Sequence, residues 1–517
     1  MILVYINKDK YFYDIHSLVK SFYPGEEVKL ELKAEPEQGE ELMNAPGLKS
    51  ESVDKNPKEN GEAVRLVIYI ELSWEEGYIS LKACPEEGKE LSLREKCLKD
   101  ENVDSSIVAD SPKNVCKQLL YRALSAITGS GLPWGTLTGI RPVKIVLNKL
   151  DRGESRDEAY SYMTDTFLCS REKADLSMEI AGRERRILQG TVDGRGYSLY
   201  VNIPFCPTRC AYCSFMSSPA AVWEKKIDDY LSCLEYEMRQ MSSVFKDMRC
   251  DSVYIGGGTP TTLSPGRLER LYDAIYSSFD LGQIREFTTE AGRPDSIDMD
   301  KLGVMKKWGV TRISVNPQTM KDETLKLIGR AHDSRQTIES YYAAREAGFD
   351  HINMDLILGL PRETEKDVEN TLRKILELSP DELTVHSLAI KRSSYLYQYV
   401  EENGLGGLDT SGEMMNLASS YAARMDLHPY YLYRQKNIGG NFENTGYGRE
   451  GKMCFYNVVT MEETESILAL GSGSVSKRVY SGAEKGRIER FGNPKDVKLY
   501  MENCKETSHK MKEFFIN

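Results

Sequence analysis

LYVNIPFCPTRCAYCSF, residues 199–215, is the stretch whose reading decides the fold. It opens as a short apolar alternation, breaks at Pro204, and then sets Cys206, Cys210 and Cys213 within eight residues. Three thiolates at this spacing can ligate three corners of a cubane iron-sulfur cluster and leave one iron without a protein ligand. That open iron is where chemistry can take place. A structural zinc site takes four Cys or His ligands as two short pairs. No second short cysteine pair follows here, and the five histidines beyond this point stand scattered. Eleven cysteines in 517 residues match an ordinary cytosolic chain rather than a disulfide scaffold, so the other eight are read as unpaired thiols.

Downstream, residues 195–390 alternate strand and helix patterns, the signature of parallel βα units. Strands are predicted at 199–203, 252–256, 286–290, 311–315, 351–357 and 382–387. After the first, Trp223, Ile227, Tyr230, Leu231, Leu234, Met238 and Met241 recur at three- and four-residue steps, a helical stripe that reads as core. After the fifth, Val368, Leu372, Ile375 and Leu376 repeat the spacing on a helix opened by Thr364. Six such units predict an α/β chain centred on a partial (β/α)6 barrel over 191–390. Residues 1–190 read as an N-terminal α+β accessory domain, with strands at 2–6, 27–32, 64–71 and 78–82. A helix lies between the first two of these strands, and a charged loop spans Ala34–Glu62. From Ser111 the pattern turns helical, with Val115, Leu119, Leu120, Ala123 and Leu124 on one face. Residues 391–517 read as a C-terminal α+β extension.

Catalytic groups of βα barrels sit at the carboxyl ends of the strands. After the second strand comes Gly256-Gly257-Gly258-Thr259-Pro260, a turn whose backbone can approach a ligand closely and which lacks the lysine of a P-loop. Glu290 closes EFTTE, Gln318 follows SVNP, Arg330 lies in IGRAHD, and Asp355 sits inside the apolar NMDLILGLP. An acid in such a run is costly without a partner. Each of these residues taken singly also fits a hydrogen-bonded cap or a surface group. LALGSGSVSKR, residues 468–478, is a second glycine and serine turn, expected at the barrel mouth.

The C-x3-C-x2-C spacing, with Tyr212 before the last cysteine, resembles the signature of radical S-adenosylmethionine (SAM) enzymes. The fuller string YxxIPFCPTRCxYCSF is similar to the branch of oxygen-independent coproporphyrinogen III dehydrogenases, particularly its HemZ-type members, which has a haem chaperone as a cousin. The string from Tyr430 to Gly448, YYLYRQKNIGGNFENTGYG, resembles the HemZ type more than the chaperone, as does the long N-terminal extension. The resemblance implies a [4Fe-4S] cluster on Cys206, Cys210 and Cys213. It implies SAM contacts at Tyr200, Tyr212, Gly257, Gly258, Thr259, Glu290, Gln318, Arg330 and Asp355. The implied reaction is oxidative decarboxylation of two propionates of coproporphyrinogen III to give protoporphyrinogen IX, fed by a donor such as flavodoxin or ferredoxin. Haem chaperoning, or another radical reaction on a tetrapyrrole, is the alternative. The chain makes two departures from the better known dehydrogenases: Asn202 stands for their histidine, and Ser214 and Phe215 follow Cys213 where those enzymes have a further cysteine.

A substrate with four propionates must meet cations, and the candidates are Lys391, Arg392, Arg434 and Lys436. Overall, 68 basic against 79 acidic residues give a net charge of −11, which argues against a nucleic-acid partner. The N-terminus carries charges too early for a signal peptide, and no apolar run approaches the ~20 residues of a membrane span. A cytoplasmic setting is the expectation.

Overall fold

The first strand, β1 (Ile2–Ile6), is buried on both faces. Ile2, Val4 and Ile6 enter one core, while Leu3 packs with Val67 and Tyr69 on the other side. The computed structural model describes residues 1–33, 58–59, 62–73, 75–191, 194–215, 217–389, 394–397, 410–435 and 441–516. Two compact units are built on Met1–Ala181 and on Gly182–Ile438 with Glu443–Asn517.

In the first unit, β1 lies parallel between β2 (Val28–Leu32) and β3 (Leu66–Ser73). Strands β4 (Tyr78–Pro85) and β5 (Leu91–Lys96) continue the sheet antiparallel. The helices Phe12–Phe22 and Pro112–Thr128 bring Ile15, Leu18, Leu119, Leu120 and Leu124 into the core of β1. The second helix is bounded by its sequence: the Ser111 hydroxyl accepts from Asn114 N, Pro112 opens the first turn, and Gly129 leaves it at φ 68°. The charged stretch 34–62 lies outside the described residues, apart from a short hairpin pairing Lys58–Glu59 with Glu62–Ala63.

In the second unit six parallel strands stand side by side in chain order: β6 (Gly196–Ile203), β7 (Arg249–Gly257), β8 (Glu286–Glu290), β9 (Arg312–Ser314), β10 (Ile352–Leu358) and β11 (Glu382–Ser387). A helix lies in every crossover, which is how a βα barrel winds. The residues beyond 410 lengthen this sheet at both edges. Beside β11 runs antiparallel β13 (Asn444–Gly448), with β12 (His428–Tyr433) outside it. Beside β6 runs parallel β14 (Ser466–Leu470), followed by β15 (Val475–Val479) and β16 (Ile488–Gly492). Among the described residues, eleven strands thus share one sheet.

Six residues of the stripe are core: Ile227, Tyr230, Leu231, Leu234, Met238 and Met241 are buried along the helix Ile227–Phe245, whereas Trp223 lies on the short helix before it and is only half-buried. Glu237 on the same helix is buried too, and burial pushes its carboxyl up to about 7. It accepts hydrogen bonds from Gly471 N (2.8 Å), Asn493 Nδ2 (2.6 Å) and the Tyr500 hydroxyl (2.8 Å), so the turn after β14 is tied to the first barrel helix. At Thr364 the predicted helix start holds, with Asp367 Oδ2 accepting from its N–H (2.9 Å) and hydroxyl (2.8 Å).

A buried ionic network joins strand starts inside the barrel. Arg312 Nε donates to Glu382 Oε2, which also meets His351 Nε2 at 2.9 Å. Glu382 Oε1 accepts from the Tyr430 hydroxyl (2.6 Å) and Cys454 N (2.9 Å). Burial works to raise the Glu382 carboxyl, but Arg312 and His351 hold it well below the usual carboxylate range.

Candidate active site

Cys206 lies three residues past the end of β6, and the loop that carries Cys210 and Cys213 is closed by a short parallel pairing of Phe205–Cys206 with Ser218–Pro219. Ala211 N donates to Ile328 O (2.9 Å) and the Thr208 hydroxyl to Gly329 O (3.0 Å), fixing the loop against the segment after β9. Gly329 sits at φ +75°, and a Cβ there would stand 3.2 Å from Arg209 O, so the docking needs glycine.

Among the described residues, a cavity of about 340 Å³ lies at the carboxyl ends of the parallel strands, lined wholly by the second unit. All three cysteines line it, as do Tyr212, Gly257, Gly258, Thr259, Glu290, Gln318, Arg330 and Asp355. Burial pushes the Cys206 and Cys213 thiols up. The Thr259 hydroxyl points at Cys206 Sγ (3.5 Å) and Arg293 Nη1 at Cys210 Sγ (3.6 Å), donors of the kind that thiolate ligands accept. Among the described residues no three Cys, His, Asp or Glu groups converge on a single metal ion. The three cysteines nonetheless line one cavity.

The glycine turn is shaped by packing. Gly257 is at φ +112°, and a Cβ on it would fall 2.0 Å from Asn202 Oδ1. The amides of Gly258 and Thr259 donate to Ile203 O (2.8 Å) and Phe205 O (2.7 Å). What the turn still offers a ligand is close approach and carbonyl oxygen, the acceptor an ammonium group needs.

Polar groups converge from the other strand ends. Glu290 Oε1 accepts from the Tyr254 hydroxyl at 2.5 Å, and burial, opposed by that bond, pushes its carboxyl up to about 7. Asp355 has the partners its apolar run demands: Asn316 Nδ2 and Asn353 Nδ2, each at 2.7 Å. Gln318 is held at φ +67° by Gln318 N→Asp355 O and Ile357 N→Gln318 O bonds, both 2.9 Å, and its buried Oε1 has no hydrogen-bond partner. A non-glycine residue in that backbone region with an orphaned acceptor marks a place shaped for a ligand. Arg330, also buried, donates to the Tyr212 hydroxyl (3.0 Å) and keeps an unpartnered Nε.

Tyr200 is placed differently from the rest of the set. It does not line the cavity but stacks on Tyr254 (6.2 Å) and Tyr456 (6.1 Å), and its hydroxyl donates to Asn202 Oδ1 (3.1 Å), one layer behind. The Gly471 turn follows β14 at the carboxyl ends of the parallel strands, where Asn202 Nδ2 donates to Ser472 O (2.6 Å), and does not itself line the cavity. Of the cation candidates, Lys391, Arg392 and Lys436 lie outside the described residues. Arg434 is buried and off the cavity, while its neighbours Tyr433 and Gln435 line it. Sequence reasoning missed Arg293, Asn316, Asn353, His386 and Tyr254. Tyr254 and Arg293 flank the glycine turn and Glu290 in sequence, and that adjacency was the available signal.

Residues 200–375 match the model of the radical SAM superfamily. The oxygen-independent coproporphyrinogen-III oxidase-like protein HemZ of Bacillus subtilis is 40% identical over 405 residues, covering 77% of this chain and 80% of that relative. The chain belongs to the radical SAM superfamily, as a HemZ-type member. Proteins of this superfamily use a [4Fe-4S] cluster and SAM. The haem chaperone HemW of B. subtilis is 33% identical over 246 residues, 47% of this HemZ-type chain and 63% of HemW. The solved radical SAM coproporphyrinogen III oxidase HemN of Escherichia coli shares the fold, with a TM-score of 0.50 and 24% identity over 63% of this chain and 72% of HemN. No described helix of this HemZ-type protein is long and apolar enough to cross a membrane.

Proposed function

We propose that this protein is a cytoplasmic oxidoreductase that converts coproporphyrinogen III to protoporphyrinogen IX without oxygen. The observation that carries the reading is a single cavity in which the three cysteines share walls with His386, Tyr431 and Tyr433. A flat tetrapyrrole needs aromatic walls beside the reactive centre. Cys206, Cys210 and Cys213 hold the cluster, and Glu290, Gln318, Arg330, Asp355 and the Gly257–Thr259 turn hold SAM. When bound, these groups supply a one-electron route to hydrogen abstraction at the propionate carbon next to the ring. The protein orients the propionate, excludes water, and admits electrons from a flavodoxin or ferredoxin, while each product vinyl group leaves one electron for an acceptor.

The similarity to HemW favours a second reading, a haem chaperone that retains the cluster and performs no decarboxylation. Anaerobic reconstitution with iron and sulfide, then incubation with SAM, reductant and coproporphyrinogen, separates the two. A vinyl-bearing product supports the enzyme; tight haem binding without release of methionine supports the chaperone.

The cofactor contacts have their own test. Asp355→Ala and Glu290→Ala should each weaken SAM binding roughly tenfold, since a lost hydrogen bond to a charged group costs about 1.5–3 kcal/mol. The visible spectrum of the cluster should stay as in the parent. Parent-like affinity in both variants would remove these two residues from the SAM site.

A further inference from the structure

Arg293 lies three residues past Glu290 in the loop after β8 and is 3% exposed. Its guanidinium is fixed on two sides. Nε and Nη2 donate to Asp295 Oδ1 (2.9 Å) and Oδ2 (2.8 Å) in a bidentate fork. Nη1 turns the other way, to Thr208 O (3.2 Å), Thr208 Oγ1 (3.0 Å) and Cys210 Sγ (3.6 Å). Behind the fork, the fully buried His332 places Nδ1 3.6 Å from Asp295 Oδ1. Burial acts to raise the Asp295 carboxyl, but the approach of His332 and the Arg293 bonds hold it well below the usual range, so the fork stays ionic.

A charge this deep is expensive unless it is paired, and Asp295 supplies that pairing. The pairing does not require a contact with sulfur. The third direction of the fork is therefore informative: it aims an N–H and a positive charge at one thiolate of the proposed cluster. Hydrogen bonds to cluster sulfurs and nearby charge are among the levers that set a cluster's potential. Adding an electron increases the negative charge on the sulfurs, so a fixed donor and cation favour the reduced state over the oxidised one.

We propose that Arg293, held by Asp295, is a positioning residue that raises the reduction potential of the cluster through Cys210 Sγ. The inference rests on Cys210 being a cluster ligand. The step it governs is transfer of one electron from an external one-electron donor to the oxidised cluster, with no bond made or broken. A donor of ordinary low potential then reduces a larger fraction of the protein.

The test is a spectroscopic redox titration of the reconstituted protein, without substrate, for the parent, Arg293→Gln and Arg293→Lys. Arg293→Gln should lower the equilibrium constant for reduction about tenfold, or ~59 mV for a one-electron couple. Arg293→Lys keeps the charge without the fork and should fall between the two. A potential in Arg293→Gln equal to the parent's overturns the proposal. If Arg293→Gln takes up no cluster, Arg293→Lys decides by the same comparison. Failure of both variants to hold iron also overturns the proposal, since Arg293 then serves assembly rather than potential. A parent protein that holds no four-iron cluster refutes the assignment of Cys210 instead, and is read separately by iron and sulfide counting.

Discussion

Replacing any one of Cys206, Cys210 and Cys213 by alanine is expected to abolish uptake of the four-iron cluster, with loss of essentially all the iron and of the charge-transfer absorption. The site offers three thiolates, and two cannot hold a cubane with an open iron. The size of the effect follows from the loop itself, whose three cysteines all line one cavity and which is anchored on both sides by Gly329 and the Ser218–Pro219 pairing. Cys454 provides the contrast. It is fully buried, and its Sγ reaches Glu286 Oε1 at 3.2 Å rather than the cavity. Cys454→Ala should therefore keep a full complement of iron. A full cluster in Cys210→Ala, or an empty one in Cys454→Ala, would overturn the three-ligand assignment.

The largest expected loss of stability belongs to Glu382. Glu382→Gln leaves the Arg312 guanidinium charged and deprived of its counterion in a place where both side chains are almost fully buried. Removing one partner of such a pair typically costs about 3–5 kcal/mol, and a clear drop in the chemical-denaturation midpoint of the second unit is expected. The pH dependence has a definite sign. The folded-state carboxyl titrates below its ordinary 4.5, at about 2, so between those values the unfolded chain binds more protons than the folded one. This contribution is complete above about 4.5 and is lost as the pH falls toward 2. Glu382→Gln should lack that part of the acid limb. An unchanged midpoint would mean that Arg312 finds other compensation.

The barrel was legible because its strands are short apolar runs between turn residues. The spans 286–290 and 382–387 agree with β8 and β11 to the residue. Leu91–Lys96 was not seen, since an edge strand with exposed Ser92, Arg94 and Glu95 carries little apolar signal. The placement of β14 beside β6 was equally invisible: a parallel pairing so distant in sequence leaves no local trace. At the site, resemblance supplied residues that the fold gathers around one cavity, with Tyr200 one layer back. What it could not supply were the groups whose roles come from tertiary neighbours. Nothing in AGRPDS says that Arg293 turns one nitrogen toward a cysteine, and nothing in TVHSLAI says that His386 Nδ1 meets the Tyr433 hydroxyl at 3.2 Å.

The sheet's two-edged completion has a consequence for how the chain is made. Ser198 on β6 bonds Glu465, just before β14, at 2.6 Å across 267 positions of sequence. During synthesis, β6 and the cysteine loop that follows it emerge long before the strand that covers their edge. Until β14 arrives, the backbone of β6 presents an open row of donors and acceptors, and pairing over such a separation closes slowly. A ribosome-bound chain ending before residue 466 thus carries the cysteine loop beside a strand with one edge unpaired, a state open to non-native pairing.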